Sequence, residues 1–156
     1  YIRRGYPLSV FNDAVQRLRK EGIEVIIHTI LGLPGESTDD ILKTMEYLNQ
    51  MDIQGIKLQL LHILKGTELG RIYLEQEKGK EVIRPMTMEE YIDLVIACVE
   101  HLSPEITIHR LTGDGPKDLL IAPLWSSRKR TVLNEIHSEL KKRNVWQGKM
   151  LERSAL

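Results

Sequence analysis

The densest run of conformationally special residues is Ile30-Leu31-Gly32-Leu33-Pro34-Gly35-Glu36-Ser37, where a β-branched stretch gives way to acidic, helix-starting residues. Gly32 and Gly35 can take backbone angles closed to other residues and let a ligand approach the main chain, while Pro34 stiffens the turn between them. A glycine turn ahead of a helix is one way to hold phosphate at a helix N-terminus. The Gly-Lys-Ser/Thr ending of a P-loop is absent, however, and Glu36, Asp39 and Asp40 would repel an anion. The competing reading is a tight strand-to-helix turn without a ligand, with Ser37 as helix cap and Asp40 at capping-box spacing. Residue chemistry leaves both open.

Histidines offer a second chemistry. His28, His62 and His109 fall on successive apolar stretches, and histidines on successive barrel strands can build a metal-hydrolase site. Parity opposes that grouping, because His62 shares the parity of Leu58 and Leu60, opposite Lys57 and Gln59. No His-x-His or His-x-x-x-His pair occurs either. Cys98 is the single cysteine, which excludes an internal disulfide and any multi-cysteine metal site built by one copy of the chain. Its position on the apolar face of a helical pattern reads as a small buried hydrophobe.

Lys57 and Gln59 are the polar members of one strand face, with Leu61 at the same parity; such residues need partners if they point inward. Asp114, between the glycines of Thr-Gly-Asp-Gly-Pro, is a turn residue or a polar group over a site mouth. Arg110 could pair with it or with a substrate carboxylate. Basic residues at 128–130 and 141–143 make the last helical stretch basic on one side, as a solvated face or an RNA contact.

The elements that must position these groups alternate. Val10, Ala14, Val15 and Leu18 have helical spacing, with Ser9 as N-cap and Gly22 as the stop. Residues 23–31 read as a buried strand. Ile41, Met45 and Leu48 mark a second helix, and 55–64 a second strand. A loosely patterned connection with a helical turn or two follows. Thr87 and Glu90 then have capping-box spacing ahead of the stripe Tyr91, Leu94, Val95, Cys98, Val99 and Leu102. Residues 105–111 are a third strand, and a final helix opens at Ser126 or Ser127. This alternation predicts an α/β fold: a parallel β-sheet with helical crossovers. Three strands leave two open edges, so the sheet reads as part of a doubly wound sheet or a (β/α) barrel.

Totals narrow the class. The 156 residues are 42% hydrophobic and 28% charged, with 22 basic and 22 acidic side chains. A net charge of zero gives no general attraction to nucleic acid or an anionic membrane. No apolar stretch approaches the roughly 20 residues of a membrane span. One cysteine fits a reducing, cytoplasmic location. The chain opens at Tyr1 without an initiator Met, which reads as the inside of a longer protein.

Several stretches carry a resemblance. They are "GLPGES" after a strand, "RRGY", "GIKLQLLHILKGTEL", "EEYIDLVIACVEHL", "IHRLTGDGP", "LIAPLWSSRKRTVLNEI" and "WQGK", spread across almost the whole chain. Together they resemble the YhcC-like branch of radical S-adenosylmethionine (radical SAM) proteins, near the oxygen-independent coproporphyrinogen oxidases and the elongator catalytic subunit. The resemblance implies a partial (β/α)₆ TIM-like barrel. Residues 1–125 would be its C-terminal half and 126–156 a C-terminal helical extension.

Members of that family bind a [4Fe–4S] cluster through a C-x-x-x-C-x-x-C loop. The open iron holds S-adenosylmethionine, whose reductive cleavage gives Met and a 5′-deoxyadenosyl radical that takes a hydrogen atom from the substrate. That loop is absent here, so the resemblance implies neither a bound cluster nor turnover for this chain alone. In the family a G-x-I-x-G-x-x-E-like stretch packs against adenine. "HTILGLPGE" puts His28 at the first glycine, then Ile30 and Gly32, with Glu36 near the acidic end. The implied cofactor-facing set is Ile30, Gly32, Leu33, Pro34, Gly35 and Glu36, joined by Lys57 and Gln59 from the barrel interior. No catalytic residue or metal ligand is assigned within the chain, and the substrate is not implied. Two other classes fit the same residues: a barrel-half module that binds RNA or protein without catalysis, and a phosphate-binding barrel enzyme. The open sheet edges also predict edge-to-edge pairing of two copies.

Overall fold

Residues 5–77, 82–113 and 115–154 are described in the computed structural model, so Asp114 lies outside the described residues. The order is α1 (Leu8–Lys20), β1 (Ile26–Leu31), α2 (Thr38–Asn49), β2 (Gly55–Leu60), β3 (Ile63–Leu64), α3 (Glu68–Glu75), α4 (Met88–His101), β4 (Thr107–Arg110), β5 (Leu120–Ala122), a 3₁₀ turn (Leu124–Ser127), α5 (Lys129–Lys142) and α6 (Lys149–Ser154). The chain adopts the expected α/β fold. β1, β2 and β4 form a parallel sheet in that order, joined by helical crossovers.

Period-two alternation decides the two faces of the sheet. Leu31, Ile56, Leu58 and Leu60 turn toward the helices and join Met45, Val95, Cys98 and Leu102 in one apolar core. Full burial of such a side chain contributes roughly 1.5–3 kcal/mol. Tyr91 of α4 is 1% exposed, and its hydroxyl donates to Leu111 O at 3.0 Å and Leu58 O at 3.4 Å, so one side chain ties the ends of β2 and β4 together. Trp125 lies 5.6 Å from its ring and donates from Nε1 to Met86 O at 2.9 Å. From the C-terminal segment, Val132 and Ile136 enter the same core. Gln147 Nε2 donates to Ser103 O at 2.6 Å and Ile106 O at 2.7 Å.

Both expected capping boxes form, Ser37 with Asp40 at the head of α2 and Thr87 with Glu90 at the head of α4. Four expectations are corrected. The helix predicted to be capped by Ser9 starts earlier, after Pro7, with no side-chain cap. Within it only Val15 is buried, while Val10 and Leu18 face outward. The single strand expected over 55–64 is divided at Leu61 and His62. Ile63–Leu64 instead pairs antiparallel with Leu120–Ala122 to make a second small sheet. The break has a steric cause: the His62 ring sits where Cβ atoms of Gly113 and Gly115 would be, so only glycines admit it. The last helix begins at Lys129 rather than at a serine cap, because Ser126 and Ser127 donate backward to Pro123 O (2.8 Å) and Leu124 O (2.7 Å) in the 3₁₀ turn.

Candidate functional site

The other face of the parallel sheet is open. Its register pairs Ile26 with Gly55 and Gly55 with Thr107, His28 with Lys57 and Lys57 with Arg110, and Ile30 with Gln59. Ile26 and Ile30 are 37% and 43% exposed, unusual for strand isoleucines next to a core. His28 is exposed, and Lys57, Gln59 and Arg110 are half-buried. A bulge makes this arrangement. Ile56 pairs with Ile108 but Lys57 with Arg110, leaving His109 as the extra residue. The His109 ring lies over Gly55, where a Cβ would overlap it. Desolvation first, then Lys57 and Arg110, hold the His28 imidazole below its ordinary pKa.

At the carboxyl end of β1 the glycine turn closes with Glu36 N–H donating to Leu33 O at 3.1 Å. Gly32 and Gly35 have φ of 85° and 81°, a left-handed backbone that other residues enter at a cost. At Gly32 the close approach is made by a protein side chain: a Cβ there would lie 2.9 Å from Met86 Sδ. Gly35 has nothing within 4 Å of that position. Glu36 turns inward. Its Oε2 is buried and has no hydrogen-bond partner among the described residues. Burial pushes its carboxyl up, against the backbone of Leu33 and with Asp40 adding.

Leu33 and Glu36 stand between two hollows. One, of about 560 Å³, runs from the glycine turn to Arg84, Met86 and Leu94. The other, of about 770 Å³, follows β1 from His28 and Ile30 to Phe11 and Tyr47. The candidates therefore divide. Gly32, Leu33, Pro34, Gly35 and Glu36 line the first hollow; Ile30, Leu33 and Glu36 line the second; Lys57 and Gln59 lie on the open face outside both. Arg84 and Met86, and the pairing of His109 with Gly55, were not singled out by sequence. Arg84 and Met86 come from an unpatterned connection, and the bulge that sets His109 and Arg110 together opposite β2 breaks the period-two signal.

The donor set can be tested against a cluster and a nucleoside. Among the described residues no group of three or more His, Cys, Asp or Glu is placed to hold a metal ion. Cys98 is fully buried, and burial, with Glu36 adding, pushes its thiol up to about 12. Iron is ligated by the thiolate, so these residues do not fit a [4Fe–4S] cluster. An adenosyl group is a different case. The exposed Ile30, beside a hollow that ends at a buried, unpartnered carboxylate oxygen, fits a flat apolar ring with a polar edge. The basic C-terminal residues are partly engaged: Lys142 with Glu139 at 2.6 Å, and Arg143 with Asp93 at 2.7 Å and Glu139 at 2.9 Å. Among the described residues no helix is long and apolar enough to cross a membrane.

Residues 53–142 match the radical SAM C-terminal domain family. The chain belongs to that family. It is 41% identical, over 97% of its length, to the protein YtqA of Bacillus subtilis (strain 168), covering 46% of it. It is 32% identical over the same share to the protein YhcC of Escherichia coli (strain K12), covering 47% of it. The chain thus spans about half the length of the curated relatives it matches. The structure of the archaeal Methanocaldococcus infernus Elp3, with an N-terminal deletion, is similar at a TM-score of 0.74 and 18% identity, over 93% of this chain and 33% of that one. At that identity the likeness shows the fold.

Proposed function

We propose that this radical SAM C-terminal domain is the half of a barrel that walls the reaction space of a longer iron–sulfur enzyme, with its open sheet face turned inward. The observation that carries the reading is that face itself: exposed Ile26 and Ile30 alternate with His28, Lys57 and Gln59 on a parallel sheet whose β1 is an edge strand. An apolar edge strand left in water is a liability, whereas inside a longer barrel it is covered. Ile30 and the turn residues Gly32, Leu33, Pro34, Gly35 and Glu36 would hold the adenosyl end of S-adenosylmethionine, with Lys57 and Gln59 further across the same face. When bound, that cofactor supplies hydrogen-atom abstraction. The domain's own part is to orient it and to keep water from the reacting atoms with the Leu33 and Met86 side chains beside the turn.

The single cysteine is buried as a thiol, so the 156-residue chain alone should neither assemble the cluster nor turn over. An oxygen-sensitive cluster and a free thiol fit a reducing, cytoplasmic compartment. The test uses the full-length protein reconstituted anaerobically with iron and sulfide. Iron–sulfur absorbance, and 5′-deoxyadenosine on reduction with S-adenosylmethionine, are expected. If neither is observed, the reading is wrong. Iron–sulfur absorbance from the 156-residue chain by itself would refute its predicted inactivity.

A further inference from the structure

The charges of α5 are sorted by face. Glu139 holds Lys142 at 2.6 Å and Arg143 at 2.9 Å, and Arg143 also reaches Asp93 of α4 at 2.7 Å, so these two cations are engaged within the fold. Arg130, Asn134, His137 and Lys141 share another face, at helical positions i, i+4, i+7 and i+11 that fall within about 60° of one another. All four are exposed, and among the described residues none of them bonds or pairs with another side chain. No acid stands three or four residues from any of them along the helix. Arg130 lies in a first turn that holds no acid, behind Arg128, which makes no side-chain cap. A cation there faces the positive end of the helix dipole and costs the helix stability. The cations continue past the helix. Arg128, Lys117 and Lys65 are exposed and likewise unpaired among the described residues. Lys65 N–H donates to Leu119 O at 2.7 Å, and Lys117 lines a hollow of about 220 Å³ with Gly113 and Ser127, at the carboxyl ends of β2 and β4. Over residues 115–134 Asp118 is the one acid against Lys117, Arg128, Lys129 and Arg130. A net charge of zero thus hides a one-sided surface.

We propose that the face of α5 formed by Arg130, Asn134, His137 and Lys141, continued by Arg128 and Lys117, binds the phosphodiester backbone of a nucleic-acid strand and leads it toward the carboxyl ends of β2 and β4. The spacing suits a polymer of regular charge. Arg130 and Lys141 are about 16 Å apart along the helix axis. That span passes several phosphates, which follow one another every ~3.4 Å along one strand of a duplex. Arg130 offers a planar fork to two oxygens of one phosphate, and Lys141 a point charge to another. Between them Asn134 and His137 can hydrogen-bond sugars or base edges, which favours a strand that carries both over a plain polyanion. A lipid surface fits less well, because a helix lying on a membrane needs its apolar face free, and Val132 and Ile136 hold that face of α5 in the core. The phosphodiester chemistry is common to RNA and DNA, and the test separates them. The binding surface stands apart from the barrel reading above; that the bound strand approaches the reaction space rests on it.

The experiment follows the fluorescence anisotropy of a labelled, mixed-sequence RNA of about 15 nucleotides, and separately of the DNA of the same sequence, as cluster-free full-length protein is added. It is run at low salt and again at about 200 mM. Saturable binding that weakens steeply with salt is expected for at least one strand, and which is held more tightly distinguishes an RNA ligand from a DNA one. Arg130→Gln combined with Lys141→Gln should weaken binding at least tenfold and lower the salt slope by about two. Arg130→Lys combined with Lys141→Arg, which keeps both charges, should hold binding within a few-fold. Lys20→Gln on α1 should leave it unchanged. All three positions are exposed, so every variant should keep the far-ultraviolet circular dichroism of the wild type. Four results would overturn the proposal: no saturable binding of either strand, binding untouched by the paired glutamine variant, equal weakening by Lys20→Gln, or polyglutamate or phosphatidylserine vesicles bound as tightly with the same dependence on Arg130 and Lys141. The measurement needs neither cluster nor cofactor, so a full-length protein that makes no 5′-deoxyadenosine leaves its result standing.

Discussion

Gly32 and Gly35 have nearly the same backbone angle and different surroundings, which makes them a measurable pair. Alanine at either must adopt a left-handed conformation, costing roughly 1–2 kcal/mol. At Gly35 that is the whole expense, because the space beyond it is open. At Gly32 the new methyl also meets Met86 Sδ at 2.9 Å, and the thioether must give way. Urea unfolding should therefore rank Gly32→Ala as the more damaging, and Met86→Ala should remove the difference between the two. Tyr91 offers a second residue-scale test. Replacing it with Phe keeps the ring against Trp125 but deprives the Leu111 carbonyl of its donor, at a cost of about 1–2 kcal/mol by the same assay.

Among the elements, α4 begins with a complete capping box. Thr87 Oγ1 accepts from Glu90 N–H at 3.1 Å, while Glu90 Oε2 accepts from Thr87 N–H at 2.8 Å. Arg84 adds two hydrogen bonds to the same carboxylate at 2.7 and 3.1 Å. Arg84 first, then the Thr87 backbone, holds Glu90 down to about 2 from an ordinary 4.5. A lowered carboxylate pKa stabilises above the unfolded value and loses that contribution as pH falls through the folded one. The urea midpoint should therefore fall between pH 4.5 and about 2, less steeply in Glu90→Gln. The slope should be modest, because the side chain is partly exposed. Thr87→Ala should cost about 1 kcal/mol where the wild-type cap is intact. These caps were legible in sequence because they are local: four residues contain all the partners. The break after Leu60 was not, since a continuous apolar run gives no sign of it. Its causes, the His62 ring between Gly113 and Gly115 and the pairing of Ile63–Leu64 with Leu120–Ala122, lie some fifty residues away. The open face divides in the same way. Parity alone puts His28 and Ile30 on one face and Lys57 with Gln59 on another, and the register joins them. Arg110 joins only through a bulge that parity cannot foresee.

At the scale of the molecule, the question is whether the segment after residue 125 is an appendage or part of the core. Val132 and Ile136 of α5 are 1% and 0% exposed, in one cluster with the sheet residues Ile56 and Leu58. Beyond the helix, Gln147 spans Ser103 O and Ile106 O at the entrance to β4, and Gly148 N–H donates to Val99 O at 3.1 Å. Removing 126–156 would uncover the α4 surface under Val132 and Ile136 and leave those carbonyls without their donors. Two large buried aliphatic side chains represent roughly 3–6 kcal/mol of burial, comparable with the 5–15 kcal/mol that holds a typical domain together. A chain ending at residue 125 should accordingly lose its sharp urea transition and bind a hydrophobic dye. The 156-residue chain should unfold in one step, with the Trp125 and Trp146 fluorescence following the same curve as far-ultraviolet circular dichroism. Two separated transitions, or a truncated chain that keeps the sharp one, would mean that the sheet stands without its C-terminal helices. The match of the family across residues 53–142 already straddles that boundary, in keeping with a sheet and a helix that fold on one another. The open face opposite α5 would then be rigid because the closed face is: the strands that align His28, Lys57 and Arg110 are held in register by a core to which α5 contributes.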